Sequence, residues 1–182
     1  MIKFLSSNFA IIGRRLNLIL SNKVVSANLV TPILIVSLIF FLDVERGYPR
    51  SDQSSPGPAD PAIQEFLRLV NAKRRSIGCP ELKWDNQVAL VALKHSKDMI
   101  SRNFFGHNNP DGKNPFERLQ ESKVLFSSAA ENIASGPKTG RQVFEIWLNS
   151  PGHRKNMLNC RFTRHGVANV DGRWTYLLLK PR

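Results

Sequence analysis

Gly166-Val167-Ala168-Asn169-Val170, Asp171-Gly172 and Trp174-Thr175-Tyr176-Leu177-Leu178-Leu179 decide the fold. Two runs rich in β-branched, aromatic and aliphatic residues flank an Asp-Gly pair, which accepts the positive φ of a tight turn, so the chain ends in a β-hairpin. From residue 60 up to that hairpin the signals are helical. Asp60-Pro61 gives an N-cap acceptor and a first-turn proline, and Ile63, Phe66, Leu67 and Val70 follow at helical spacing to about Ser76, with Gly78 as the stop. Asp85 caps a second helix whose stripe of Val88, Val91, Ala92, His95 and Met99 places His95 as a hydrogen-bonded core histidine. Asn114-Pro115-Phe116-Glu117 reads as a capping box opening a short helix that ends near Ser122. Thr139 caps a helix with Val143, Phe144, Trp147 and Leu148 inward. Ser150-Pro151 opens another, with the Ser150 hydroxyl expected on the His153 backbone N–H, Arg154, Lys155 and Asn156 outward, and Met157 and Leu158 inward. Helices first and strands last argue for a layered α+β fold.

The 182 residues carry a formal charge of +12. The excess lies in residues 61–182, where 20 Lys and Arg face 10 Asp and Glu, against 6 and 4 in residues 1–60. Such a balance suits an anionic partner. Nucleic acid is disfavoured, because neither a basic recognition helix nor an aromatic-plus-basic motif accompanies the charge. Cys79 and Cys160 are far apart and outside any C-x-x-C pattern, which excludes the usual structural zinc motifs. They are two free thiols or one long-range disulfide, according to compartment.

Residues 24–42 carry no charge and, as a helix, match the ~30 Å hydrocarbon core of a bilayer. Lys3, Arg14, Arg15 and Lys23 precede this run, so the positive-inside rule makes residues 1–23 a basic cytoplasmic segment and residues 24–42 a transmembrane anchor. Residues 43–61 are a Pro/Ser/Gly linker, and residues 62–182 form an extracytoplasmic domain of a single-pass membrane protein. The alternative is secretion after signal cleavage, against which Phe40-Phe41-Leu42-Asp43 offers no small-x-small site. Outside the cell, a disulfide is favoured.

Three stretches hold polar groups in apolar or turn-forming frames: Phe104-Phe105-Gly106-His107, Ala130-Glu131-Asn132-Ile133-Ala134 and Asn149-Ser150-Pro151-Gly152-His153. His107 lies on a loop beside an aromatic pair, where scaffolded site residues concentrate. A carboxylate among alanines marks a pocket or a buried, hydrogen-bonded acid.

These stretches, with Gly78-Cys79-Pro80-Glu81-Leu82-Lys83-Trp84-Asp85, Asn109-Pro110-Asp111-Gly112 and Trp147-Leu148-Asn149-Ser150-Pro151-Gly152-His153-Arg154-Lys155-Asn156-Met157-Leu158, closely resemble the bacterial branch of the CAP superfamily (cysteine-rich secretory, antigen 5 and pathogenesis-related proteins, also called SCP-like) over roughly residues 62–180. The resemblance implies an α+β fold, a three-layer α-β-α sandwich, here preceded by one transmembrane helix. It implies surface display or secretion and a central cavity in which His107, Glu131 and His153 are candidate ligands of a divalent metal, zinc foremost. Asn132 and Ser150 neighbour that cavity, and Ser150 stands where the wider family has a second glutamate. It also implies a disulfide between Cys79 and Cys160. Family members include sterol and lipid binders, and no single activity unites them. The expected function is a membrane-tethered binding module for lipid, glycan or anionic wall polymer. The alternative is a divalent-metal-dependent hydrolase built on His107, Glu131 and His153, which would need three convergent ligands and an open position to activate water.

Overall fold

Asp60 and Asp85 open the first two helices, each with its carboxylate accepting backbone N–H bonds of the first turn. The computed structural model describes residues 4–7 and 58–182. Its helices are α1 (Pro61–Ser76), α2 (Asn86–Ser101), α3 (Pro115–Glu121), α4 (Gly140–Asn149) and α5 (Pro151–Met157). Its strands are β1 (Phe4–Ser7), β2 (Lys83–Trp84), β3 (Phe126–Ser135), β4 (Arg164–Val170) and β5 (Arg173–Pro181). Asn114 and Thr139 cap α3 and α4 in full capping boxes. The β4–β5 hairpin turns at Asp171 and Gly172, with φ of 46 and 78 degrees, the backbone that Asp-Gly admits.

The strands form one mixed sheet in the order β1-β3-β5-β4-β2. β2 runs parallel to β4 and the other pairs are antiparallel. Strands are thus interleaved with helices rather than gathered at the end, because residues 128–134 belong to β3. Every residue of the run Ala129–Ala134 is buried, so β3 shows no alternation of polar and apolar residues to announce it.

Successive residues of a strand face opposite sides of a sheet, and the core divides accordingly. Ala130, Ala134, Trp174, Tyr176 and Leu178 meet Ile63, Phe66 and Val70 of α1 and Val143, Phe144 and Trp147 of α4 on one side. There Phe66 stands edge-on to Trp147 and Tyr176, at ring separations of 5.4 and 4.8 Å. Ala129, Leu177 and Leu179 meet Val88, Val91 and Ala92 of α2 and Phe116 and Leu119 of α3 on the other side. Gly166 lets β4 press on α2, since a Cβ there would land on the backbone of Val88 and Ala89.

One cross-link ties the segment after α1 to the segment after α5. Cys79 and Cys160 are joined in a disulfide with Cα atoms 4.9 Å apart. Beside it the fully buried Arg74 donates to the carbonyls of Pro80 (2.9 Å), Met157 (2.8 Å), Asn159 (3.1 Å) and Phe162 (2.9 Å). A buried cation is tolerated because carbonyl dipoles replace its water.

Phe4–Ser7 pairs with Glu131–Ala134 at the edge of the sheet, satisfying backbone groups that β3 would otherwise leave bare. This position beside the domain differs from the cytoplasmic placement read from the sequence. The rest of the 1–23 segment, the anchor at 24–42 and the linker up to residue 57 lie outside the described residues. Among the described residues no helix is long and apolar enough to cross a membrane.

Candidate functional site

β3 carries Glu131 into the layer between the sheet and helices α2 and α3, where it has no solvent exposure. His107 Nδ1 donates to its Oε1 at 2.8 Å, and Arg118 Nη2 donates to its Oε2 at 2.7 Å. Burial pushes the Glu131 carboxyl up, but the His107 hydrogen bond and the neighbouring charges of Arg118, His95 and His107 outweigh it and hold the group below the ordinary carboxylate range. An ionised carboxylate only accepts, so the hydrogen sits on His107 Nδ1, and Nε2 is left with its lone pair when the ring is neutral. An imidazole oriented in this way can take a proton or a donor at Nε2.

Arg118, in the first turns of α3, does more than pair with Glu131. Its Nη1 donates to the carbonyls of His107 (2.7 Å) and Lys113 (2.9 Å), so one guanidinium fixes the middle and the far end of the loop between α2 and α3. His95, on the inner stripe of α2, donates from Nε2 to the Gly106 carbonyl at 3.0 Å. Burial lowers the His95 imidazole below the ordinary histidine value. His107 Nε2, His95 Nδ1 and Arg118 Nε have no hydrogen-bond partner among the described residues.

Asn132 follows Glu131 and therefore faces the other side of the sheet. Its Nδ2 donates to the His153 carbonyl at 3.0 Å, and its Oδ1 accepts from Asn156 Nδ2 at 2.9 Å. His153 is buried against the Trp147 ring with centroids 6.3 Å apart, and its Nδ1 lies 2.8 Å from Ser150 Oγ. Two expectations are corrected here. Ser150 stands at the N-cap of α5 but makes no side-chain cap bond, because its hydroxyl meets the His153 ring instead. Asn156 is buried, not outward, because it is the partner that Asn132 requires. Phe104 and Phe105 beside His107 are half-buried.

The structure brings His107 and Glu131 together and sets Asn132, Ser150 and His153 together across the strand. Among the described residues no three His, Cys, Asp or Glu side chains are placed to hold one metal ion. Both Glu131 oxygens are occupied, one of them by a guanidinium cation. This donor set does not fit a zinc ion. Arg118 and Asn156 are the site residues that sequence reasoning missed. For Asn156 the helical spacing from His153 to Met157 offered no signal. For Arg118 the only signal was its place one residue beyond a capping box.

The pattern of CAP, the cysteine-rich secretory protein family, matches residues 67–177. The chain belongs to the CAP family. It is a member of bacterial type. YkwD of Bacillus subtilis (strain 168) is 36% identical over 118 residues, covering 65% of this chain and 46% of YkwD. The membrane protein YlbC of the same organism is 41% identical over 111 residues, covering 61% of this chain and 32% of YlbC. The chain thus spans less than half the length of either relative. Among solved structures, the SCP-domain extracellular protein of Bacillus anthracis str. Ames is 43% identical with a TM-score of 0.62, covering 64% of this chain and 39% of that one. An outer surface protein of Borrelia burgdorferi, 21% identical with a TM-score of 0.62, shares the fold over 66% of this chain and 93% of its own.

Proposed function

We propose that this CAP domain is displayed outside the cell and binds an anionic wall polymer. The observation that carries the reading is the charge of the folded part: 20 cationic against 10 acidic residues, with most of the acids already paired internally. Lys and Arg side chains left over on such a surface attract a polyanion, and the attraction is screened by salt. The extracellular and membrane descriptions of two relatives favour the same compartment. The metal-dependent hydrolase reading has less support, since it needs Glu131, His107 and His153 on one ion while Glu131 is held by Arg118.

The test is co-sedimentation of the protein with intact wall, with wall stripped of its anionic polymer, and with neutral glycan or lipid vesicles. Binding to intact wall alone, weakened by salt, is expected. Equal binding to stripped wall, or to vesicles, overturns the polymer reading.

A further inference from the structure

A cleft of about 510 Å³ opens between α2 and α3, floored by His95 and Arg118 and walled by Lys94 and Lys97 on one side and Lys113 on the other. We propose that this cleft is a phosphate-binding subsite, taking the phosphate groups of the anionic polymer. This rests on the polymer reading above and names the chemistry that the domain would grip.

Two observations carry it independently of the overall charge. The first is the donor set. Lys94 and Lys97 are exposed, lie three residues apart on one helical face, and make no ion pair with the described residues, whereas the two acids on the lining, Asp98 and Glu121, are already paired with Arg102 (3.7 Å) and Lys113 (2.6 Å). The lining is therefore cationic after its own pairs are counted. The second is the floor. Arg118 uses three N–H groups, on the His107 and Lys113 carbonyls and on Glu131, so its Nε–H and the second Nη2 hydrogen remain of the five that a guanidinium carries. His95, 1% exposed, likewise keeps Nδ1 without a partner among the described residues. Buried polar atoms in native proteins are normally satisfied, and a ligand hydroxyl or acidic oxygen meets both needs.

The geometry suits a tetrahedral oxyanion better than a planar carboxylate. Donors arrive from α2, at Lys94 and Lys97, and from the floor, at Arg118, so separate oxygens can meet different walls, while a carboxylate uses one fork. The volume also admits the polyol or sugar attached to the phosphate. Glu131 then acts as a positioning residue, its carboxylate holding the Arg118 guanidinium in the floor.

The experiment is titration of the full-length protein with inorganic phosphate, followed by calorimetry and by the His95 ring resonances. The variants are Lys94→Ala/Lys97→Ala and a charge-matched control, Lys138→Ala/Lys155→Ala, all exposed positions. Saturable phosphate binding that moves the His95 resonances is expected, weakened at least about tenfold in the first variant and less than about twofold in the control. Equal weakening in both, or no saturable binding, overturns the subsite. Wall polymer and anionic phospholipid vesicles are run alongside. Polymer binding unchanged in Lys94→Ala/Lys97→Ala overturns the subsite and leaves the polymer reading standing. Phosphate and vesicles that bind in the cleft while polymer does not would support the subsite and overturn the polymer reading.

Discussion

His165 gives the protein an acid limb that can be worked out from its surroundings. The ring is 2% exposed, lies edge-on to Tyr176 and Trp84, and has its Nδ1 3.0 Å from the Tyr176 hydroxyl. Burial, with a smaller contribution from the Arg74 charge, lowers its pKa from 6.5 to about 3. The folded protein thus resists a proton that the unfolded chain accepts below 6.5. Stability is full above that value and falls as the pH drops towards about 3, where the folded state also protonates. One proton of difference is worth about 1.4 kcal/mol per pH unit, so the whole span removes about 5 kcal/mol, a large share of an ordinary domain's stability. Buried His95 shifts in the same direction and adds to the slope. Glu131, whose carboxyl is held below the ordinary range, adds its loss only at lower pH, as the pH falls through its folded value. His165→Asn keeps an acceptor for the Tyr176 hydroxyl and removes the titration. Urea unfolding should then show a loss of stability between about pH 7 and about pH 5 that is smaller by about 2 kcal/mol, whatever the variant loses at neutral pH. An unchanged loss of stability, or a His165 ring resonance that titrates near its ordinary value in the folded protein, is incompatible with a buried, neutral His165.

Arg74→Met leaves four carbonyls without their donor, two of those bonds being fully buried, and should destabilise the domain by about 4 kcal/mol in chemical denaturation with the disulfide intact. Reducing the Cys79–Cys160 bridge frees a loop with a sequence separation of 81 and should lower stability by about 4 kcal/mol, yet leave near-ultraviolet circular dichroism native, because Arg74 still joins the same segments. Glu131→Gln strips the compensating charge from the buried Arg118 and should cost about 3 kcal/mol, read as a lowered melting temperature. Gly166→Ala should cost about 3 kcal/mol, because the atoms it would strike are backbone of α2 and cannot rotate away.

The hairpin and the helix caps were legible because each rests on local chemistry: an Asp-Gly turn needing positive φ, and short polar side chains accepting first-turn N–H groups at Asp60, Asp85, Asn114 and Thr139. β3 was not, since burial on both faces erases the alternation that marks a strand. That omission also hid the division of the site. Glu131 and Asn132 are adjacent in sequence and read as one wall, but a single step along a strand reverses the face, so His107 joins Glu131 on one side while His153 joins Asn132 on the other. Arg74 carried a usable signal, standing on the apolar stripe of Ile63, Phe66 and Val70. Arg118 carried almost none, because its carboxylate partner lies 13 residues away in another element.

Glu131 holds His107 and Arg118 by one hydrogen bond each, and Arg118 with His95 floors the proposed anion subsite. A crystal structure of the protein soaked with both zinc and phosphate tests this most directly. A phosphate in the cleft between α2 and α3, against Lys94, Lys97 and Arg118, is expected, with both Glu131 hydrogen bonds unchanged. Zinc bound by His107, with Glu131 released from Arg118 to ligate it, would overturn the anion subsite and favour a metal site.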